Sequence, residues 1–302
     1  MPDRLNDGMP DLRTFVLPAR AYMLGFRDQT LPARRCALAD SGEAFATIDG
    51  EGHDAQLAVL EVIGDSLQIV EDVGVMADAF LHGYGTLAFY VRATVYDPAH
   101  VNNFFSAIHK RDAEYILRLA ALHMNGEPVH RHFEFKPPLD SEDELAIASA
   151  EAATAKLLQD HLCALARAWE TYRRFFHAYK HGGLLANPET AQLVEDRMRV
   201  VARMAVWRRQ CSDPQIGGYF SRPLAEIVEH VIDIGELALD VGRYLSDTRF
   251  RVLDLIRAND AGAVEIAPMT DVPWEFWMRR SDVGETQLER LSARFGLQFD
   301  IP

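Results

Sequence analysis

Residues 141–183, SEDELAIASAEAATAKLLQDHLCALARAWETYRRFFHAYKHGG, carry the longest helical pattern in the chain. Small or apolar side chains recur in it every three or four residues, as on the buried face of an amphipathic helix. They are Leu145, Ala148, Ala152, Ala155, Leu158, Leu162, Leu165, Trp169 and Tyr172. Ser141 followed by Glu144 fits a capping box, and Gly182 ends the pattern. The stretch therefore predicts one long helix over about 142–180.

A second helical pattern begins at His53. Seven of its apolar residues share one face at helical spacing, namely Leu57, Leu60, Ile63, Leu67, Val70, Val73 and Ala77. Acidic side chains on the polar side of this helix are expected to oppose basic residues elsewhere, in the same chain or across a dimer. The segment that follows at 87–96, LAFYVRATVY, is almost continuously apolar and fits either a strand or a buried helix.

Two further helices are predicted from their start signals and patterns. Asp97 before Pro98 is typical of a helix N-terminus, with Asp as the cap and Pro in the first turn. This helix is expected to run to about residue 123, and another from about 223 to 259. Residues 189–210 could form a helix, although residues 200–207 within them also resemble a strand.

Together these segments predict a mainly α protein, with a helical bundle over residues 54–260 and irregular N- and C-terminal extensions. Residues 1–53 contain Pro, Gly and short apolar patches, which favour an irregular segment with a short strand or hairpin at 43–48. Residues 261–302 predict an extended, proline-broken segment that includes a short amphipathic helix. We expect the two ends to wrap around the bundle rather than to form independent domains.

Composition restricts the class and the location of the protein. No apolar run reaches about 18 residues, so neither a transmembrane helix nor a membrane partner is expected. The N-terminal residues lack the basic segment and apolar block of a secretory signal. Cys36, Cys163 and Cys211 are odd in number and widely spaced, which disfavours a disulfide framework and a zinc ribbon. The sequence predicts a cytoplasmic protein without a cofactor.

The formal net charge of −14 opposes loose binding to nucleic acid, but this charge is unevenly spread. From Lys156 to Arg209 there are ten Lys/Arg and five Asp/Glu, so this segment carries +5 and the remainder −19. The arginines in its second half could follow a phosphate backbone or form a solvated face. They are Arg197, Arg199, Arg203, Arg208 and Arg209.

The C-terminal turns of the longest helix concentrate ionisable side chains on one face. At about 100° per residue, Glu170, Arg174, His177 and His181 fall within a face about 60° wide, one turn after another. Arginine can grip two phosphate oxygens at once, and histidine can act as a general acid or base near neutral pH. The spacing predicts a face equipped for phosphate chemistry.

Arg174-x6-His181, followed by Gly182, resembles the R-x4-6-H signature of HEPN (higher eukaryotes and prokaryotes nucleotide-binding) domains. These domains are helical bundles, usually dimeric, and many are metal-independent ribonucleases or parts of toxin–antitoxin and defence systems. The similarity covers about residues 54–210. Phe175 stands where the family commonly has a polar residue.

The resemblance implies a homodimer that binds RNA or a nucleotide and that acts, in its catalytic form, as a metal-independent endoribonuclease. Arg174 would stabilise the charge that develops on phosphorus, and His181 would move the proton of a 2′-hydroxyl or of the leaving oxygen. His177 and Glu170 complete the predicted catalytic face. The residues expected to bind RNA or nucleotide beside that face are Arg173, Lys180 and Arg203.

Other interpretations remain open at this stage. In the first, Glu170 pairs with Arg174, and His181 is a helix cap favoured by the dipole. The chain would then be a non-catalytic helical protein for dimerisation or partner binding. In the second, His177-x3-His181 has metal-ligand spacing, but the helix supplies no third ligand, so no metal is predicted. A third is a helical enzyme that acts on a small molecule.

Overall fold

Seven α-helices account for most of the chain that the computed structural model describes. The described residues are 21–50, 52–82, 87–94, 97–124, 126–132, 140–181, 185–186, 192–195, 198–201, 203–207, 216–260, 274–279 and 297–300. The helices are α1 (Leu31–Ala46), α2 (His53–Leu81), α3 (Leu87–Thr94), α4 (Pro98–Ala107), α5 (Ala113–Leu119), α6 (Ser141–Lys180) and α7 (Leu224–Asp260). The predicted mainly α class is confirmed.

Short strands connect or follow these helices. β1 (His123–Met124) pairs with β2 (Glu127–Pro128), and β4 (Gln192–Glu195) pairs with β5 (Met198–Val201), both antiparallel. A three-stranded antiparallel sheet has the order β3 (Leu185–Ala186), β6 (Met204–Trp207) and β7 (Ile216–Phe220). β8 (Trp274–Arg279) pairs in parallel with β9 (Leu297–Asp300). Of the options left open for this segment, its described residues 192–195, 198–201 and 204–207 form strands.

The N-terminal extension is not irregular where it is described. Residues 21–25 are helical, Phe26–Thr30 forms a π-helical turn, and α1 then runs to Ala46, so the strand or hairpin predicted at 43–48 is wrong. The proline in the first turn of α1 occupies a position where its missing N–H removes no helical hydrogen bond. Burial of Leu31 and Leu38 supplies the apolar contacts that stabilise this helix. Residues 1–20 lie outside the described residues.

The helix predicted from Asp97 to about residue 123 is divided into two. Its start is confirmed, because the Asp97 carboxylate accepts a hydrogen bond from the Ala99 amide at 2.9 Å. A 3₁₀ turn at Ile108–Lys110 ends α4. Asp112 then accepts from the Tyr115 amide at 2.9 Å and caps α5. The second capping side chain competes with helix continuation and so starts a new helix.

The N-terminus of α6 uses a capping box one residue earlier than predicted. Oδ1 of Asp140 accepts from the amides of Glu142 and Asp143 at 3.0 and 2.8 Å, while the Asp140 amide donates to Oδ2 of Asp143 at 3.3 Å. Asp140 and Asp143 therefore replace Ser141 and Glu144 as the reciprocal pair. Aspartate satisfies the same free amides as serine does, so the spacing alone did not distinguish the two pairs.

The buried stripes of the two longest predicted patterns are confirmed except near their N-termini. In α6, Leu145 is 67% exposed and the two alanines after it in the stripe are exposed, whereas the predicted residues from Ala155 to Tyr172 are buried. In α2, Leu57 is 42% exposed and the other six are buried. Apolar residues on the remaining sides of α2 are buried too, so this helix is enclosed on most of its circumference rather than on one face.

The apolar segment after α2 is helical rather than extended, because residues 87–94 form α3. The residues of β8 are extended, as expected. The short amphipathic helix predicted in the C-terminal extension falls on residues that lie outside the described part. Within the described ranges, no helix combines the length and the apolar character needed to cross a membrane.

The chain divides into two compact units, and residues 170–181, which carry the predicted catalytic face, belong to the second. The first unit comprises Met1–Gln29, Val75–Cys163 and Val241–Pro302. In it, the fully buried Arg249 donates to the Phe80 and Leu119 carbonyls at the ends of α2 and α5.

The second unit comprises Thr30–Gly74 and Ala164–Asp240. Its core includes Ser66, whose hydroxyl donates to the Val231 carbonyl at 2.7 Å.

We predict that Asp140→Ala lowers the free energy of unfolding by about 1 kcal/mol, because it removes the acceptor for two amides at the start of α6. The matched variant Ser141→Ala should change it by less than about 0.5 kcal/mol. Urea unfolding followed by circular dichroism measures both. A larger loss for Ser141→Ala than for Asp140→Ala would contradict the observed capping box.

Candidate functional site

The four residues predicted to share a face do so on the last turns of α6. Glu170, Arg174 and His181 are exposed, and His177 is half-buried between the last two. The His181 amide donates to the His177 carbonyl at 3.1 Å, so helical bonding continues to the end of the face. The prediction that these four residues share one helix face is therefore confirmed, whereas their chemical roles remain predictions.

Arg174 is held in place by a main-chain carbonyl. Its Nη1 donates to the carbonyl oxygen of Gly217 in β7 at 2.9 Å, and the side chain remains exposed. Among the described residues Arg174 makes no ion pair, so the pairing with Glu170 proposed in the structural alternative does not form. The guanidinium carries five N–H donors. One donor orients the guanidinium, and none of the carboxylates in the described ranges pairs with its charge.

Phe175 lies on the packed side of the helix, about 100° away from Arg174. Its ring is 2% exposed and stacks on Phe220 of β7, with 4.1 Å between the ring centroids and 14° between the planes. Tyr172, one turn earlier, also contacts Phe220, at 5.3 Å. The residue that differs from the HEPN pattern therefore attaches β7 to α6 and does not belong to the exposed face.

The two histidines of the face differ in their surroundings. Their rings are nearly parallel, at 13°, with centroids 6.3 Å apart, and His177 also lies 6.5 Å from Trp169. Burial lowers the pKa of His177, and the nearby charge of Glu71 only partly opposes this shift. The neighbouring charges of Lys180 and Arg173 lower the pKa further. The neutral form of His177 is therefore favoured.

Lys180 is exposed as a residue, but its ammonium group is directed towards α2. Its Nζ pairs with Oε2 of Glu71, a carboxylate on α2 that is only 2% exposed, and lies 4.5 Å from the centre of the Phe176 ring. The acidic residues predicted to oppose the basic segment were Glu61, Asp65, Asp72 and Asp78, of which Asp72 pairs with Arg34 and Asp78 with Arg92, both outside that segment. Because Lys180 is committed to Glu71, it contributes little to the surface that a phosphate would meet.

A polar network extends from this ion pair across α2. The Gln68 amide donates to Oε2 of Glu71 at 3.0 Å and to Asp72 at 2.9 Å, and Nε of Arg34 donates to Asp72 at 2.8 Å. Burial raises the pKa of the Asp72 carboxyl, although the Arg34 charge opposes that shift. The network ties α1, α2 and the end of α6 together within the second unit.

The remaining predicted RNA-binding residues occupy different positions. Arg173 is half-buried beside Arg174, and Arg203 is exposed just before β6. The Arg203 amide donates to the Phe220 carbonyl at 2.7 Å. Gly217 lies three residues before Phe220, which is about 10 Å along a strand. β7 therefore links the backbone of Arg203 to the guanidinium of Arg174. The arginines at 197, 208 and 209 lie outside the described residues.

No arrangement suited to a metal ion is found in the described part of the chain, where no three or more His, Cys, Asp or Glu side chains converge appropriately.

A titratable cluster that the sequence did not reveal lies in the first unit. Nδ1 of His123 is 2.6 Å from Glu114, and its Nε2 is 3.4 Å from Glu151. These residues come from β1, α5 and α6, and no motif connects them.

Comparison of the chain with protein-family models, with curated proteins and with solved structures finds no match. The resemblance to HEPN domains therefore continues to rest on Arg174, His181 and the glycine that follows. Three residues that shape the site escaped the sequence analysis, namely Glu71, Gly217 and Phe220. They contact α6 from distant parts of the chain, and only the pair of glycines at 217 and 218 offered a local signal.

We predict that Lys180→Met lowers the free energy of unfolding by about 3 kcal/mol, because it leaves the Glu71 carboxylate buried without its cation. The double variant Glu71→Gln/Lys180→Met should recover most of that loss. Lys156→Met, at an exposed position of the same helix, is the matched control and should change stability by less than about 0.5 kcal/mol. Equal losses for the two lysine variants in chemical denaturation would refute a stabilising role for the ion pair.

We predict that His177→Gln reduces the loss of stability on acidification. The unfolded imidazole takes up a proton first, at its ordinary pKa of 6.5, whereas the folded protein, with the lowered pKa, resists protonation. Stability is therefore complete above that value and is lost as the pH falls below it. Unfolding measured between about pH 7.5 and 5.5 should show a shallower decline in the variant. An unchanged decline would contradict the effect of burial.

Proposed function

We propose that this chain is a cytoplasmic, HEPN-like homodimer that binds RNA or a nucleotide through the α6 face formed by Arg174, His177 and His181. One observation carries the proposal. Arg174 is exposed and oriented by a neutral carbonyl, on the same helix face as an exposed histidine. A charged donor held in a fixed direction at the surface is suited to phosphate oxygens.

Glu170 limits where a phosphate can lie on this face. It is exposed one turn before Arg174, so its carboxylate repels anions from the N-terminal end of the face. His177 is half-buried on the other side of Arg174, and the lowered pKa that burial causes favours its neutral form, which does not repel a phosphate. The path open to a phosphate chain therefore runs from Arg174 towards His181.

The catalytic form of the proposal is metal-independent cleavage of RNA. The 2′-oxygen attacks the adjacent phosphorus, the bond to the 5′-oxygen of the next nucleotide breaks, and a cyclic phosphate and a 5′-hydroxyl result. His181 removes the proton of the 2′-hydroxyl or gives a proton to the leaving oxygen. Arg174 stabilises the negative charge on the non-bridging oxygens. These roles follow the HEPN resemblance, residue by residue.

Dimerisation is relevant to this chemistry because of a distance along the helix. His181 lies seven positions after Arg174, which corresponds to about 10 Å along an α-helix. A single helix therefore spreads its arginine and histidine over more than one phosphate. A homodimer that brings two such faces across a groove would supply both groups to one phosphodiester. A defence or toxin–antitoxin role would follow from cleavage of cellular RNA.

We predict that Arg174→Ala weakens binding of a fluorescein-labelled oligouridylate about tenfold at low salt, because a charge-assisted hydrogen bond is lost. The slope of log affinity against log salt should also fall by about 0.7, the value for one phosphate contact on a single strand. Arg243→Ala, at an exposed position on α7, is the matched control and should change neither quantity. Fluorescence anisotropy measures both.

In the same series, His181→Ala should abolish cleavage of the oligonucleotide and toxicity on expression, while binding is retained. If the wild type binds no oligouridylate at low salt, the proposed function is wrong. Binding without any cleavage by the wild type would leave a non-catalytic RNA-binding protein. Binding that survives Arg174→Ala with its full salt dependence would remove Arg174 from the site.

A further inference from the structure

We propose that the β6–β7 pair is a positioning element for Arg174, with Gly217 and Gly218 as positioning residues. The inference rests on the proposed function of the α6 face, and it identifies which part of the fold prepares that face for a phosphate. Its basis is the close approach of β7 to α6, where a main-chain carbonyl meets the guanidinium.

The approach is fixed by contacts on both sides of Arg174. Phe220, at the C-terminal end of β7, stacks on Phe175 and also contacts Tyr172, so the strand is attached to the packed side of the helix. Antiparallel pairing with β6 holds Gly218 and Tyr219 opposite Val206 and Ala205, and the register shifts at Gly217, between Gly218 and Ile216. The carbonyl of Gly217 is thereby brought within 2.9 Å of Nη1 of Arg174.

Gly218 makes this approach sterically feasible. A Cβ atom at position 218 would lie 3.2 Å from the Phe175 ring and 3.7 Å from Cβ of Arg174. The first distance is shorter than most carbon–carbon contacts in proteins, so a side chain there would push β7 away from α6. Movement of the strand would lengthen the hydrogen bond to Arg174, since that bond is made by the adjacent residue.

The chemistry of the acceptor matters as much as its position. A carbonyl orients the guanidinium through one hydrogen bond and leaves its net charge intact, whereas a carboxylate would compete with phosphate for it. Lys180 on the same helix illustrates the second case, because its charge is paired with Glu71. The Gly217 carbonyl, whose approach Gly218 allows, therefore gives Arg174 a fixed direction without neutralising it.

Gly218→Ala tests the inference in the full-length chain. Its affinity for fluorescein-labelled oligouridylate should fall about threefold to tenfold, which corresponds to the loss of one oriented hydrogen bond. Gly42→Ala is the matched control, because a Cβ there would lie 3.1 Å from Ile232 in the same unit. It introduces a comparable crowding away from Arg174 and should leave the affinity unchanged.

Two further measurements separate positioning from general damage to the fold. In an Arg174→Ala background, Gly218→Ala should cause no additional loss of affinity, because the group that it positions is absent. The rate of phenylglyoxal modification at Arg174, followed by mass spectrometry without RNA, should rise in Gly218→Ala and not in Gly42→Ala. If Gly218→Ala folds poorly, Phe220→Leu, which weakens the attachment of β7 without a new clash, should raise the modification rate of Arg174 in its place, and an unchanged rate there would overturn the positioning role.

The outcomes distinguish this inference from the proposed function. Unchanged modification of Arg174 in Gly218→Ala, or equal losses of affinity with and without Arg174, overturns the positioning role while RNA binding stands. Equal losses for Gly218→Ala and Gly42→Ala also overturn it. Failure of the wild type to bind oligouridylate overturns the function and the inference together, even if modification at Arg174 rises.

Discussion

A buried carboxylate needs a cation, and the pairing of Glu71 with Lys180 is the constraint on which the end of α6 depends. An ionised carboxyl in a protein interior costs several kcal/mol unless a charge and hydrogen bonds compensate for the lost water. Lys180 and Gln68 both donate to the same oxygen of Glu71. Because Lys180 is the last residue of α6, the pair holds the helix end against α2. His181 directly follows Lys180, so the ion pair also helps to fix where His181 lies.

The same turns of α6 must bury aromatic rings on one side of the helix and expose polar groups on another. Phe175 and Phe176 are buried, whereas Arg174 is exposed. With 3.6 residues per turn, neighbours in sequence point about 100° apart, so adjacent residues serve opposite requirements. A phenylalanine next to the arginine is therefore compatible with a polar exposed face. The difference from the HEPN pattern falls on the side of the helix that packs against β7.

Local signals in the sequence were sufficient for the long helices and insufficient for their partners. The pattern of α6 predicted its limits almost to the residue, and Asp97 marked the start of α4 correctly, because capping and periodicity act within one turn. The division of α4 from α5 depended on Asp112, a capping signal that competed with a continuous apolar pattern. Local patterns did not predict α1, because the proline and glycine residues of this region favour irregular structure. The helix depends on the burial of Leu38, and that burial is set by tertiary contacts.

The candidate face also depends on contacts that local patterns in the sequence do not predict. Helix geometry alone places Arg174 and His181 together, but Gly217 is 43 residues from Arg174, and Glu71 is 109 residues from Lys180. No periodicity relates such distant positions, and yet they decide which cation can meet a phosphate. In a chain of net charge −14, a cation attracts phosphate only where no carboxylate of the same protein reaches it first. Lys180 is paired with Glu71 in this way, whereas Arg174 is held by an uncharged carbonyl, so the arginine retains the charge that the proposed chemistry requires.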